Sequence, residues 1–302
     1  MKVIVFGGSG FLGSHVADEL TRRGHGVTIY DRTRSAYLKG NQTMIEGDIM
    51  DLKAVCRAAE GKDIVYNLVA LSDIDEAATR PVETAEVNIM GNVHVLEAAR
   101  LTGAKRLIFS SSIYVYSDAG AFYRSSKQAC ELFIENYQKV YNLDYTILRY
   151  GSLYGPRTDE RNWIYRILKQ ALLEKKIVRK GDGEELREYV HVEDAAKLSV
   201  DILDEHYKNR CMIITGERQM KIRDLLMMIK EILKGEVDIE FQPAKFNEHY
   251  EITPYVFNPQ IAKKIFGNEH VDMGQGIIDI LSELHQKHLM LQGSEESSKK
   301  IN

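Results

Sequence analysis

Tyr123 and Lys127, in YRSSK, stand four residues apart, a spacing that puts both side chains on one face of a helix. A phenol with an ordinary pKa of about 10 is a poor base at neutral pH. A neighbouring ammonium and a cationic cofactor ring stabilise the phenolate and lower that value. Tyr123 is therefore a candidate general base. Ser112, in IFSSSIYVY, can hydrogen-bond both the phenol and a substrate hydroxyl. A tyrosine and a lysine at this spacing are commonplace on helix surfaces, so the pair carries chemistry only downstream of a cofactor-binding fold.

Gly7, Gly10 and Gly13 point to such a fold. The first permits a tight turn, the second lets backbone N–H groups approach a pyrophosphate, and the third lets a helix pack closely on the preceding strand. Asp31, 18 residues after Gly13, closes the second expected strand, where a carboxylate accepts hydrogen bonds from the adenosine ribose. A carboxylate there repels the 2′-phosphate of NADP, which favours NAD. Arg32 and Arg34 keep NADP open as the alternative, or are simply a solvated loop. Asp48 and Ile49 stand where they contact adenine, with a helix cap by Asp48 or Asp51 as the competing reading.

The elements that must position these residues alternate β-rich runs with helical periods, as in a parallel sheet covered on both faces. Strands are expected at Val3–Phe6, Val27–Tyr30, Thr43–Ile45, Ile64–Leu68, Arg106–Ser110 and Tyr145–Leu148. Helices are expected at Phe11–Arg23, Leu52–Ala59, Val82–Leu101 and Tyr123–Tyr141. This is an α/β fold, a Rossmann-type doubly wound parallel sheet over residues 1–156, with segments of 185–215 open to joining it. A smaller C-terminal α/β substrate lobe is expected over 157–292, with helices at Asn162–Glu174, Ile222–Leu233 and Met273–Leu291 and a basic strand KKIVRKG. The polar tail 293–302 is expected to be disordered.

Apolar residues make up 44% of the 302 and charged residues 28%, and 40 basic against 44 acidic side chains leave a net charge of −4. That balance argues against a nucleic-acid or anionic-membrane partner, both of which favour a basic face. Cys56, Cys130 and Cys211 follow no disulfide or metal-ligand spacing and read as thiols in a reducing compartment. No metal site is expected. KVIVFGG enters a strand directly, without a leader pattern, and no apolar run reaches the ~18 residues of a membrane span, so a soluble, cytoplasmic protein is expected.

Taken together, GGSGFLG, Gly47–Asp48, RPVETAEVN, FSSSIYVY, YRSSK, LRYGSLYGPR and GDGEELREYVHVEDAA resemble the extended short-chain dehydrogenases/reductases of the NAD-dependent epimerase/dehydratase family, over residues 1 to about 205. Members act mostly on nucleotide-activated sugars. The resemblance implies Ser112, Tyr123 and Lys127 as the catalytic set, with Lys127 also holding the nicotinamide ribose. It implies a cofactor set of Gly7, Gly10, Phe11, Leu12, Gly13, Asp31, Arg32, Asp48, Ile49, Val69, Ala70, Asn88, Ser110, Tyr123, Lys127 and Tyr150. Asn88 matches a position that organises the helix behind the site. Tyr150 and Tyr154 either line the pocket or pack the core. Ser72, Ser112, Ser152 and Arg187 are the implied substrate contacts, Arg187 through a phosphate. His191 and Asp194 fall in the same signature and read as structural.

The departures bear on the reaction. Dehydratases of the family place an Asp-Glu pair where this chain has Ile113 and Tyr114, neither of which can move protons in that way, so 4,6-dehydration is disfavoured. Ser112 and Tyr123 are 11 residues apart, a short connection that predicts an open site. Ser152 replaces an asparagine common in epimerases, and a second phosphate-binding arginine has no evident counterpart around EHYEITPYVFNP. The leading expectation is a nucleotide-sugar epimerase acting at C4 through a 4-keto sugar with NAD retained. The alternatives are a net dehydrogenase or ketoreductase and a non-catalytic NAD-binding sensor. The long helices resemble those that pair across a twofold axis in the family, so a homodimer is expected.

Overall fold

The computed structural model describes residues 1–243, 263–265 and 270–299. β1 (Lys2–Phe6) is buried over its last four residues, as suits a strand covered on both faces. It leads into α1 (Phe11–Arg22), β2 (Gly26–Asp31), β3 (Gln42–Glu46), α2 (Leu52–Ala59) and β4 (Ile64–Asn67). Then come α3 (Ile74–Thr79), α4 (Pro81–Thr84), a π-helical turn over Ala85–Met90, and α5 (Gly91–Thr102). β5 (Arg106–Ser112), a 3₁₀ turn over Ile113–Tyr116, α6 (Ala121–Tyr141) and β6 (Asp144–Tyr150) complete the first half.

The second half contains β7 (Ser152–Tyr154), α7 (Trp163–Glu174), β8 (Lys176–Lys180), β9 (Leu186–His191), α8 (Val192–Asp201) and β10 (Arg210–Ile214). After these come β11 (Gln219–Lys221), α9 (Ile222–Ile232), β12 (Asp238–Gln242), β13 (Lys263–Lys264) and α10 (Met273–Lys299). The main sheet has the order β3-β2-β1-β4-β5-β6-β10-β13, and its pairings are parallel. β10 extends the sheet from late in the chain, and α8 packs against α1, where Arg23 meets Asp201 at 2.6 Å.

A smaller body is built on the three-stranded sheet β11-β9-β7 and the parallel pair β12-β8. α7, α9 and α10 enclose its core through Leu168, Leu225, Ile229, Ile277 and Ile280. Among the described residues no helix is long and apolar enough to cross a membrane, and no cluster of metal-ligating side chains forms.

Two sequence expectations change. The single helix expected over Val82–Leu101 starts earlier and is interrupted by the π turn, because Asn88 rotates inward to bond Leu71 and Ser126. Of the tail expected to be disordered, residues 293–299 continue the last helix and 300–302 lie outside the described residues.

Candidate active site

The order β3-β2-β1-β4-β5-β6 reverses direction between β1 and β4, and ligands of such sheets sit in the crevice at that point, beyond the carboxyl ends of the strands. Gly7 lies there with φ +80°, and a Cβ on it would stand 2.9 Å from the Val69 nitrogen. A Cβ on Gly13 would stand 2.1 Å from the Gly7 oxygen, so only glycine lets α1 come this close to the turn. The resulting groove, about 1070 Å³, is lined by Gly7, Gly10, Asp31, Arg32, Asp48, Ile49, Val69, Ala70 and Ser72. Its dimensions and its glycine floor at the α1 N-terminus fit a dinucleotide, with the pyrophosphate against the Gly7–Gly10 turn.

Asp31 closes the acidic end of this cradle. Its carboxylate accepts from Ser9 N at 3.1 Å and from Thr33 N at 3.3 Å, which orients it toward the groove. Arg32 and Arg34 both line the groove, and Arg34 also faces Glu46 at 3.5 Å. Asp48 bonds Met50 N within its own turn, and the cap on α2 is Asp51, which accepts from Ala54 N at 3.0 Å. Phe11 and Leu12 contribute the first-turn backbone of α1. Their side chains turn elsewhere, Phe11 onto His15 and Leu12 onto the core.

Two implied cofactor contacts have other roles. Asn88 is 3% exposed and brackets Leu71, accepting from its N–H at 2.7 Å and donating to its carbonyl at 3.2 Å, and it also donates to Ser126 Oγ at 2.9 Å. It is a brace between the β4 exit and α6, not a groove wall. Tyr150 shares a strand face with Leu148, on the side that α8 covers, so its hydroxyl meets Ser199 Oγ at 2.6 Å inside the core. Tyr154 is likewise buried, against His191. His191 caps α8 through Glu193 N, and Asp194 accepts from Val271 N at 2.7 Å, both structural tasks.

The catalytic candidates converge where β5 ends and α6 begins. Ser112 is hydrogen-bonded to the Tyr123 phenol. Withdrawal from water outweighs the opposing Ser112 bond and pushes that phenol up to about 12, the reverse of the lowering expected from the sequence. Lys127 is 1% exposed and donates to the Ser110 carbonyl at 2.6 Å, which is the role the structure finds for Ser110. Burial lowers the Lys127 ammonium to about 8, with Cys130 and Glu131 acting the other way. Its Nζ lies 5.7 Å from the Tyr123 ring centroid.

Beneath this pair is a buried ionic brace. Arg149 donates to Glu131 through Nε at 2.9 Å and through a second nitrogen at 2.6 Å, and it also bonds the Tyr116 hydroxyl. Glu131, one turn beyond Lys127, accepts from Ser111 Oγ at 2.5 Å. The ends of β5 and β6, the 3₁₀ turn and α6 are thereby tied together.

A second cleft, about 570 Å³, adjoins the groove: Ser72 and Arg161 line both. Ser152 and Arg187 line it, together with Tyr114, Trp163, Arg166, Arg179 and Lys180. The second phosphate-binding cation sought around EHYEITPYVFNP falls outside the described residues. Two cations that the sequence alone does not single out, Arg179 and Lys180 of the strand KKIVRKG, line the cleft. Arg166 is held by Asp73 at 3.1 Å and Arg179 by Glu185 at 2.8 Å. Ile113 is buried and Tyr114 faces the cleft, so the positions that carry the dehydratase acids hold no acid here.

The sequence pattern of the NAD dependent epimerase/dehydratase family matches residues 3–214 of this chain. The chain belongs to that family. It is an NAD-dependent enzyme of the extended short-chain dehydrogenase/reductase type, and the groove walls described above fit its cofactor. Among similar members is a UDP-N-acetyl-alpha-D-glucosaminuronate decarboxylase of Bacillus cytotoxicus, 30% identical over 268 residues, 80% of this chain and 83% of that one. Another is a UDP-glucose 4-epimerase of Mycolicibacterium smegmatis, 30% identical over 220 residues, 64% of this chain and 70% of that one. A crystal structure of UDP-glucose 4-epimerase with UDP-glucose from Thermotoga maritima superimposes with a TM-score of 0.80 at 25% identity, covering 96% of this chain and 100% of that one.

Proposed function

We propose that this family member is a nucleotide-sugar epimerase that oxidises the C4 hydroxyl of a nucleoside-diphosphate hexose and reduces the ketone from the other face. The observation that carries the reading is the Ser112–Tyr123 hydroxyl pair, set over a buried Lys127 beside a cleft of converging cations. Arg187, Arg179 and Lys180 hold the diphosphate, with charge-assisted bonds that position the sugar without acting on it. Ser112 orients the substrate hydroxyl, and Tyr123 removes its proton. Lys127 stabilises the phenolate electrostatically and donates toward the nicotinamide ribose. NAD, held by the Gly7–Gly10 turn and Asp31, would supply a hydride acceptor and donor for C4 when bound. After the 4-keto sugar turns over in the cleft, Tyr123 gives its proton back, so the net reaction is redox-neutral.

A net dehydrogenase or ketoreductase would use the same three side chains once per turnover. The Bacillus cytotoxicus relative supports a further variant: oxidation of a uronate at C4 creates a β-keto acid, which loses carbon dioxide without an added acid pair. Mass spectrometry of small molecules released from purified protein, with absorbance scans on mixing with UDP-glucose, UDP-N-acetylglucosamine and UDP-glucuronate, tests these readings. Retained NAD and a 4-epimer product support the epimerase; accumulating NADH supports a dehydrogenase; released carbon dioxide supports a decarboxylase. Bound NADP, or no nucleotide at all, contradicts the proposal.

We also propose a cytoplasmic homodimer formed by α4 to α6. Val82, Leu101, Leu132 and Val140 are each at least 60% exposed on these helices, an apolar surface larger than a monomer's helices need. Light scattering at micromolar concentration is expected to give twice 34.5 kDa, about 69 kDa. A monomer mass contradicts the assembly.

A further inference from the structure

Tyr114 faces the substrate cleft, and the mechanism above gives it no task. It follows Ser112 by two residues, and its ring stands edge-on to Tyr123, with centroids 6.3 Å apart and planes at 78°. A pyranose whose hydroxyl meets the Tyr123 phenol therefore lies within reach of the Tyr114 ring.

The ring has little freedom to move aside. Tyr114 N donates to Ser112 Oγ at 3.3 Å, and its carbonyl accepts from Ser117 N at 3.0 Å. Gln128 Nε2 holds the next carbonyl, that of Val115, at 2.9 Å, and Arg149 holds the hydroxyl of Tyr116. Behind the ring is Gly120, at φ +95°, where a Cβ would come within 2.6 Å of Tyr114 Cδ1. The short Ser112–Tyr123 connection, which alone would leave the site open, thus places an aromatic side chain as its wall.

We infer that Tyr114 is a specificity-determining residue that closes the sugar end of the cleft against sugars carrying a substituent bulkier than a hydroxyl. A fixed ring discriminates by repulsion, and such steric exclusion sets selectivity without touching the reacting atoms. The inference rests on the nucleotide-sugar reading above.

Calorimetric titration of the NAD-loaded full-length protein with UDP, UDP-glucose and UDP-N-acetylglucosamine tests it. Wild type is expected to bind UDP-glucose at least about tenfold more tightly than UDP-N-acetylglucosamine. Tyr114→Ala is expected to shrink that ratio about tenfold or more while the Kd for UDP, which has no sugar, stays within about twofold. Tyr114→Phe keeps the ring and is expected to keep the ratio. Where Tyr114→Ala fails to fold, as its circular dichroism and UDP binding would reveal, Tyr114→Thr carries the same comparison. An unchanged ratio with UDP still bound, or a wild-type preference for the N-acetyl sugar, overturns the inference alone. Failure of wild type to bind UDP overturns the nucleotide-sugar reading, and the inference with it.

Discussion

Lys127 Nζ is bonded to the Ser110 carbonyl at 2.6 Å and lies 5.7 Å from the centre of the Tyr123 ring, so the lysine is tethered to β5 with its ammonium over the phenol ring. Holding a 1%-exposed ammonium there costs stability. In the folded chain the group sits at about 8, against 10.5 ordinarily, so between those values the unfolded chain binds more protons and stability rises with pH. The penalty is full below pH 8. Comparing wild type with Lys127→Met by denaturant unfolding, the stability difference is expected to move toward wild type by about 2–3 kcal/mol between pH 7 and pH 10.5. A pH-independent difference would show that the ammonium is not strained by burial. The same variant is expected to lose turnover, a stability cost kept for function.

His15, on α1, shows the same direction of dependence at acid pH. Burial, and after it the nearby Arg157, lowers it to about 4 from 6.5, and Nε2 meets the Pro156 carbonyl at 3.1 Å. The folded chain keeps the ring neutral while the unfolded chain protonates it, so this group's contribution is present above pH 6.5 and is lost as pH falls toward 4. His15→Gln can keep the bond to Pro156. Relative to wild type it is expected to gain about 2–3 kcal/mol between pH 7 and pH 4, read from melts at both values. A constant difference would contradict the assignment.

The Arg149–Glu131 pair makes a third prediction. With Arg149 2% exposed, removing one partner strands a buried charge and is expected to cost about 3–5 kcal/mol, whereas replacing both with apolar side chains costs much less. Thermal unfolding of Glu131→Leu, Arg149→Met and the double variant checks this. Additive losses in the double variant would contradict a coupled pair.

Much of this arrangement was legible in the chain. β1, β2, the glycine turn and the helix of Tyr123 have strong periodic or steric signatures, and α2 falls on Leu52–Ala59 as expected. Asp31 lines the groove, and Ser152 and Arg187 line the cleft, because each lies in or at the end of a strand. Tyr150 packs into the core, on a face of β6 that the sequence alone does not reveal to be covered, while Asn88, turned inward by the π turn, takes the organising place behind the site that the resemblance implies. Arg161, Arg166, Arg179 and Lys180 come together only when α7 and β8 fold against the sheet, a long-range event that leaves no local pattern. Tyr114 was legible as a missing acid, but its place against Tyr123 depends on the turn that Gly120 permits.

Cofactor recognition gives a fourth prediction. Gly13→Ala forces a Cβ to within 2.1 Å of the Gly7 oxygen and is expected to abolish NAD binding while the far lobe stays folded. Asp31→Ser removes a carboxylate that lines the groove and is expected to weaken NAD by about tenfold and to narrow the preference over NADP. Fluorescence titration with both nucleotides measures this. NAD affinity unaffected by either change would contradict the groove assignment.

The central claim is reversible oxidation at C4, with Tyr123 as the base that takes the hydroxyl proton and NAD as the acceptor that retains the hydride. Its most direct test is proton and deuterium NMR of UDP-[4-²H]glucose incubated with the purified NAD-loaded protein, alongside Tyr123→Phe. The 4-epimer is expected to form with deuterium still at C4 and with no net NADH, and Tyr123→Phe is expected to lower the rate by about 10²-fold or more. Washout of the label, an equal rate in Tyr123→Phe, or no epimer from this sugar or from the deuterated N-acetyl and uronate analogues would contradict it.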